Sequence, residues 1–279
     1  FFMGIDERRY PMLDEGWTTA FEYLYNLQDV GKAQADLIFK MARSGNLLAE
    51  DPGIDLPILT PADRLRGRIA GINAYEKPAL AYLALKDLMG DDAFKASLHE
   101  FIERWNGKHP LPWDLFNTFN DTSETDLTWF FTNWFAEPNH IDLAISAVTP
   151  AEGDAEVTVE NLGGFAVPFD LLVQYKDGAV VSQHVTPAVW EETPLSTTLT
   201  ITDAQNADLV AADTGIFMDV DQNNNLWPAR PAADPRAPFA VTVKSDDPAA
   251  SIAMTLLPKS KANNPTQFGM PNGVIVQVT

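Results

Sequence analysis

Apolar residues recur at helical spacing through the first half of the chain and at a spacing of two through much of the second. Phe21, Leu24, Tyr25 and Leu27 share one broad face, and after Gly31 the set Leu37, Ile38 and Met41 repeats it. The spacing predicts helix over residues 15–43, closed by Gly45, then a loop with Pro52, Gly53, Pro57 and Pro61. Helix resumes near Tyr75, where Ala79, Leu80, Leu83, Ala84 and Leu88 form an apolar stripe that Gly90 ends. Asp91 and Asp92 open another helix, buried along Phe94, Leu98, Phe101, Ile102 and Trp105. After a turn over 107–112, Pro112 suits a first helical turn, and Leu115, Phe116 and Phe119 make a short amphipathic helix. Ser123-Glu124-Thr125-Asp126 reads as a capping box with Asp in place of Glu. It leads into Leu127, Phe130, Phe131 and Trp134, again at helical spacing.

The period changes near Pro138. Val157 and Val159 alternate with Glu156, Thr158 and Glu160, and Leu199 and Ile201 alternate with threonines. Residues 169–175, 180–185 and 207–211 are further strands, and turn signals stand at Glu152-Gly153, Gly163-Gly164 and Lys176-Asp177-Gly178. About seven short strands over 141–220 suggest an antiparallel β-sandwich of the immunoglobulin-like kind. The expected fold class is therefore multi-domain α + β: a helical part over residues 1–138, a β-sandwich over 139–227, and a Pro-rich linker with a strand-forming tail over 228–279. Strand-like pieces in the tail lie at 240–244 and 273–278.

Composition narrows the function. With 19 Lys and Arg against 39 Asp and Glu, the formal charge is −20, which argues against nucleic acid or an anionic membrane as partner. No run reaches the ~18 apolar residues of a membrane span. There are no cysteines, so any metal must be held by His, Asp or Glu. The acidic balance and the lack of cysteine fit an exported bacterial protein, periplasmic or extracellular.

Two stretches carry candidate chemistry. Glu15 stands where a loop feeds a helix, beside Gly16, and a helix N-terminus favours a carboxylate there. Taken alone it reads as a capping acid. Tyr75 also stands at a helix start, and taken alone reads as a half-buried aromatic with a hydrogen-bonded hydroxyl. In sequence, Tyr10-Pro11-Met12-Leu13-Asp14-Glu15-Gly16-Trp17 resembles the M1-family metallopeptidase segment that carries the third zinc ligand. Ala74-Tyr75-Glu76-Lys77-Pro78-Ala79 resembles that family's Tyr-Glu-Lys-Gly segment, with Pro78 where Gly is usual. Asp126-Leu127-Thr128-Trp129-Phe130-Phe131 is similar to a stretch near the end of the family's catalytic domain. The resemblance covers residues 1 to about 140, and extends to the β region only by position and class.

The resemblance implies the helical C-terminal part of a thermolysin-like catalytic domain, one catalytic Zn²⁺, peptide substrates cleaved at their N-termini, Glu15 as a zinc ligand and Tyr75 as the donor to the oxyanion. It also implies an incomplete site. The family's two histidines and general-base glutamate come from His-Glu-x-x-His, eighteen intervening residues before the ligand glutamate, and would fall ahead of Phe1. The Gly-x-Met-Glu-Asn segment that binds the substrate's free amine would also lie upstream. The chain is thus expected to be a C-terminal fragment, inactive alone, with the coding sequence ahead of Phe1 supplying the missing motif. The alternative is a non-catalytic helical scaffold plus sandwich that binds peptides or proteins. A genuine start codon immediately ahead of Phe1 would favour it.

No other stretch replaces the missing motif. His99-Glu100-Phe101-Ile102-Glu103 carries Glu where the second His is needed and reads as a solvated helix edge. His109, His140 and His184 show no grouping along the chain. Asp219, Asp221, Asn223, Asn224 and Asn225 are rich in oxygen ligands, but lack the spaced Gly and terminal Glu of an EF-hand loop, and read as a polar turn.

Overall fold

The computed structural model of the chain describes residues 3–47 and 56–228 and three strands within 239–278. The loop around Pro52 and Gly53 and the Pro-rich stretch 229–238 lie outside the described residues. Residues 1–229 form one compact unit and 230–279 a second.

The first unit begins with a 3₁₀ turn, Pro11–Leu13, that feeds α1 (Glu15–Asp29). Gly31, at φ +79°, turns the chain into α2 (Lys32–Leu47), which runs two residues past Gly45. After the loop come α3 (Arg68–Ala74), α4 (Glu76–Met89), α5 (Asp91–Trp105), α6 (Pro112–Thr122) and α7 (Thr128–Phe131), the last running into a π-helical turn, Thr132–Ala136. Pro112 occupies the first turn of α6, and the Asp114 carboxylate accepts the Leu111 N–H at 2.7 Å. The box expected at Ser123 does not form as a helix cap. Asp126 instead accepts the Thr128 N–H at 2.9 Å, because the helix starts at Thr128, with Leu127 rather than Ser123 in the capping position.

α4 is the centre of the helical part. Its stripe of apolar residues implied one buried face. In the structure ten consecutive residues, Glu76 to Leu85, are buried, so the helix is enclosed on every side. α1 packs along it: the Trp17 and Tyr82 rings stack at 3.8 Å between centroids, and the Tyr82 hydroxyl donates to the Met12 carbonyl at 3.0 Å. Phe94 and Phe119 close over Trp17 from α5 and α6.

The sandwich consists of two antiparallel sheets. One has the order β1 (Leu143–Ala151), β2 (Asp154–Asn161), β5 (Ser196–Ile201). The other has the order β4 (Val180–Val185), β3 (Phe169–Tyr175), β6 (Ala207–Asp213), β7 (Leu226–Trp227). The β1–β2 and β3–β4 hairpins turn at the Gly153 and Gly178 positions, both at positive φ. Inward residues Val157, Val159, Leu171, Val173 and Val210 are buried, as their alternation demands. β4 is an edge strand and leaves Val180 and Val181 exposed.

The two parts share one apolar core. Trp134 of the π turn stacks on Phe165 at 4.2 Å and donates its indole N–H to the Ala166 carbonyl at 3.0 Å. The Asn133 amide brackets the same loop, donating to the Gly164 carbonyl and accepting from the Ala166 N–H. Trp190 donates to the Val167 carbonyl at 2.8 Å. The indole and amide groups named here each find a backbone partner in the loop before β3, as buried polar groups generally must.

The second unit is a three-stranded antiparallel sheet. Its order is β10 (Val274–Val278), β9 (Ile252–Pro258), β8 (Phe239–Val243). The pieces expected at 240–244 and 273–278 correspond to β8 and β10, and the central strand β9 was not anticipated.

Candidate active site at the paired starts of α1 and α4

Glu15 and Tyr75, sixty positions apart, meet. The Tyr75 hydroxyl donates to Glu15 Oε1 at 2.7 Å. Two similar joints bring them together. Asp14 ends the 3₁₀ turn at φ −119°, ψ −68°, and Glu15 begins α1. Tyr75 ends α3 at φ −112°, ψ −66°, and Glu76 begins α4. Each helix therefore starts with an acid immediately after a bend, where the unpaired N–H groups of the first turn stabilise negative charge.

Close approach of the two helices rests on Gly16. A β-carbon there would lie 2.7 Å from Pro78 Cβ and 2.9 Å from its Cγ. Real β-carbons do not come so near, so the ring of Pro78 fills the space that a side chain at position 16 would need. Pro78 also stands in the first turn of α4, where a missing N–H costs nothing. The Glu-Gly pair and the Tyr-Glu-Lys-Pro segment are thus two halves of one packed joint. A glycine just inside a helix was the sequence signal for that contact.

Asn73, 3% exposed, supports the Tyr75 bend from behind. Its amide donates to the Pro57 carbonyl at 3.0 Å and to the Leu56 carbonyl at 3.3 Å, tying α3 to the loop before it. Sequence reasoning did not single it out, since a polar residue next to a helix end has many uses.

Tyr75 is 41% exposed and Glu15 half-buried, so the pair faces outward from a fixed base. The hydrogen bond to Glu15 raises the Tyr75 pKa above its ordinary value, helped by burial and by the nearby charges of Glu15, Asp14 and Glu76. The phenol therefore stays protonated, a neutral donor, through and above neutral pH. Chemically the arrangement offers one carboxylate, engaged through Oε1, and one neutral phenol O–H beside it.

The remaining histidines divide. Glu100, beside His99, pairs with Arg104 at 2.6 Å, as expected of a solvated edge. His109 Nδ1 lies 2.9 Å from the Gly4 carbonyl, and His140 forms an isolated bridge with Gly164. His184, by contrast, is grouped with two acids: its Nδ1 is 2.7 Å from Asp170 Oδ1 and its Nε2 is 2.9 Å from Asp87 Oδ2. The oxygen-rich turn is bound into the sandwich by its own acids. Asp219, 1% exposed, accepts the Leu143 and Asp221 N–H groups, and Asp221 accepts from Asn223.

No family model matches the chain, and no curated protein matches it. Among solved structures the chain is similar to Legionella pneumophila aminopeptidase A, determined in complex with aspartic acid. The TM-score is 0.50 at 17% identity, over 70% of this chain and 22% of that one. The fold is similar to part of an aminopeptidase. At that identity the likeness concerns architecture, a helical part followed by a β domain, and the chain spans only about a fifth of that protein's length. Among the described residues no helix is long and apolar enough to cross a membrane.

Proposed function

We propose that the chain is a portion of a zinc-dependent, M1-like aminopeptidase, in which Glu15 is one metal ligand and Tyr75 donates to the oxyanion formed at the scissile carbonyl. The observation that carries this reading is the 2.7 Å contact between the two residues, from segments sixty positions apart. The aminopeptidase-like fold supports it.

A half-buried carboxylate at a helix N-terminus, oriented by a phenol on one oxygen, suits a metal ligand, since ligating carboxylates are themselves held by hydrogen bonds. Among the described residues no group of three or more His, Asp or Glu side chains is placed to hold a metal. Glu15 therefore fits as one member of a donor set and does not make a site alone. When bound, zinc supplies a Lewis acid that activates water and polarises a carbonyl. Glu15 would hold that ion beside the start of α1. Tyr75, still protonated, would turn its O–H from Glu15 toward the carbonyl oxygen as negative charge develops there. Its helix-start backbone and the Asn73 tether keep the ring from moving far. Substrates would be peptides with a free N-terminus, and an exported location suits the acidic surface.

The test uses the full-length protein. Tyr75→Phe should lower kcat by about 10²–10³-fold with zinc content and KM near normal. A change confined to KM would count against the oxyanion role. Glu15→Ala should lose zinc on dialysis, and full occupancy would sink the ligand assignment. The 279-residue chain alone should neither hold stoichiometric zinc nor cleave a chromogenic amino-acid amide.

A further inference from the structure

The C-terminal half of α4 runs against the sandwich, and one side chain bridges the two. His184 sits on edge strand β4, cross-strand from Asp170 on β3, and reaches Asp87 on α4 across 97 positions of sequence. Its two ring nitrogens lie 2.7 Å and 2.9 Å from carboxylate oxygens. A neutral imidazole carries one N–H and one lone pair, so it can donate to only one of the two. In the neutral form the other nitrogen would turn a lone pair on a carboxylate. Both contacts are hydrogen bonds only when the ring is an imidazolium.

We propose that His184 is a pH-sensitive fastening between the β-sandwich and α4, closed when its imidazole is protonated and loosened when it is not.

The surroundings favour this form of switch. His184 lines a groove of about 250 Å³ between α1, α2, α4 and the second sheet. The other charged groups facing that groove are already engaged. Lys32 pairs with Asp36, which also accepts from the Tyr23 hydroxyl. Lys86 pairs with Asp91, and Asp213 accepts the Gly215 N–H. Among the described residues, Lys86 is the groove cation nearest in sequence to Asp87; it acts to lower the Asp87 pKa but is itself paired with Asp91. Burial is the largest influence on Asp87 and raises its pKa, while His184 acts to lower it. For His184 burial is again the largest single influence and lowers its pKa, but the two carboxylates together outweigh it and raise it. A basic group whose folded pKa is raised contributes stability below its unfolded pKa, and loses that contribution as pH rises through the folded value. The fastening is therefore closed at mildly acidic pH and opens as pH climbs above the ordinary histidine range. It depends on no assumption about the role of Glu15 or Tyr75.

The experiment is an NMR titration of the four-histidine chain, with His184 assigned by its Gln variant. His184 should titrate above the ordinary ~6.5, and Asp87→Asn should lower its midpoint by about half a unit or more. Thermal unfolding of the wild type between pH 6 and 8.5 should then lose about 2–4 °C more than that of His184→Gln. A midpoint at or below the ordinary value, a midpoint unmoved by Asp87→Asn, or parallel pH profiles for wild type and His184→Gln would each overturn the proposal. Should His184→Gln fail to fold, the Asp87→Asn and Asp170→Asn titrations decide it alone.

Discussion

At its N-terminal end α4 is met by a carboxylate from a neighbouring helix; near its C-terminal end it offers a carboxylate to a histidine on a sheet. The first contact, Tyr75 to Glu15, joins a neutral phenol to an acid and faces outward. The second, Asp87 to His184, joins an acid to a base whose pKa its two carboxylate partners raise. Between them lie ten residues buried on all sides. Such a helix has no freedom to roll or slide without opening cavities in a close-packed core. The roles proposed for its two ends, in chemistry and in pH response, would then rest on a middle that supplies the stability.

That division can be broken first at the middle. Trp17→Ala removes the ring stacked on Tyr82 and should cost about 3–5 kcal/mol, read as a lowered urea midpoint. A cost below about 1 kcal/mol would show that α1 is not held to α4 by that stack. Gly16→Ala should come next, at about 1–3 kcal/mol, because the added methyl meets the Pro78 ring. Adding Pro78→Gly should recover part of that loss, although glycine in a helix has its own cost of about 1 kcal/mol. Failure of the pair to compensate would place the strain elsewhere. The smallest effect is expected at the outward end. Tyr75→Phe should change stability by less than about 1 kcal/mol, since its hydrogen bond is exposed. A larger loss would mean that the phenol supports the fold rather than the chemistry.

Much of the helical part was readable from periodicity, since amphipathic helices repeat their burial every three to four residues. The helix that matters most was read least well. α4 showed a stripe, but its remaining faces carry Ala81, Tyr82 and Leu85, apolar or aromatic residues that can also stand at a surface. Only neighbours on every side decide that. In the sandwich, β3 and β4 fell where alternation and Lys176-Asp177-Gly178 placed them, because a two-residue period and a glycine turn are local properties. β9 was not read at all, although it pairs with both of its neighbours.

The candidate site was legible as two segments and not as a place. Glu15 and Tyr75 stood out by residue type beside helix starts. Their meeting was decided by tertiary packing: Gly16 lets Pro78 close in, and the Trp17–Tyr82 stack sets the rotation of one helix against the other. His184 shows the same limit more sharply. Its partners lie 14 and 97 positions away, on a paired strand and on a helix. No spacing along the chain encodes such a meeting, because hydrogen bonds between distant segments depend on how whole elements dock, and docking is a property of the folded core.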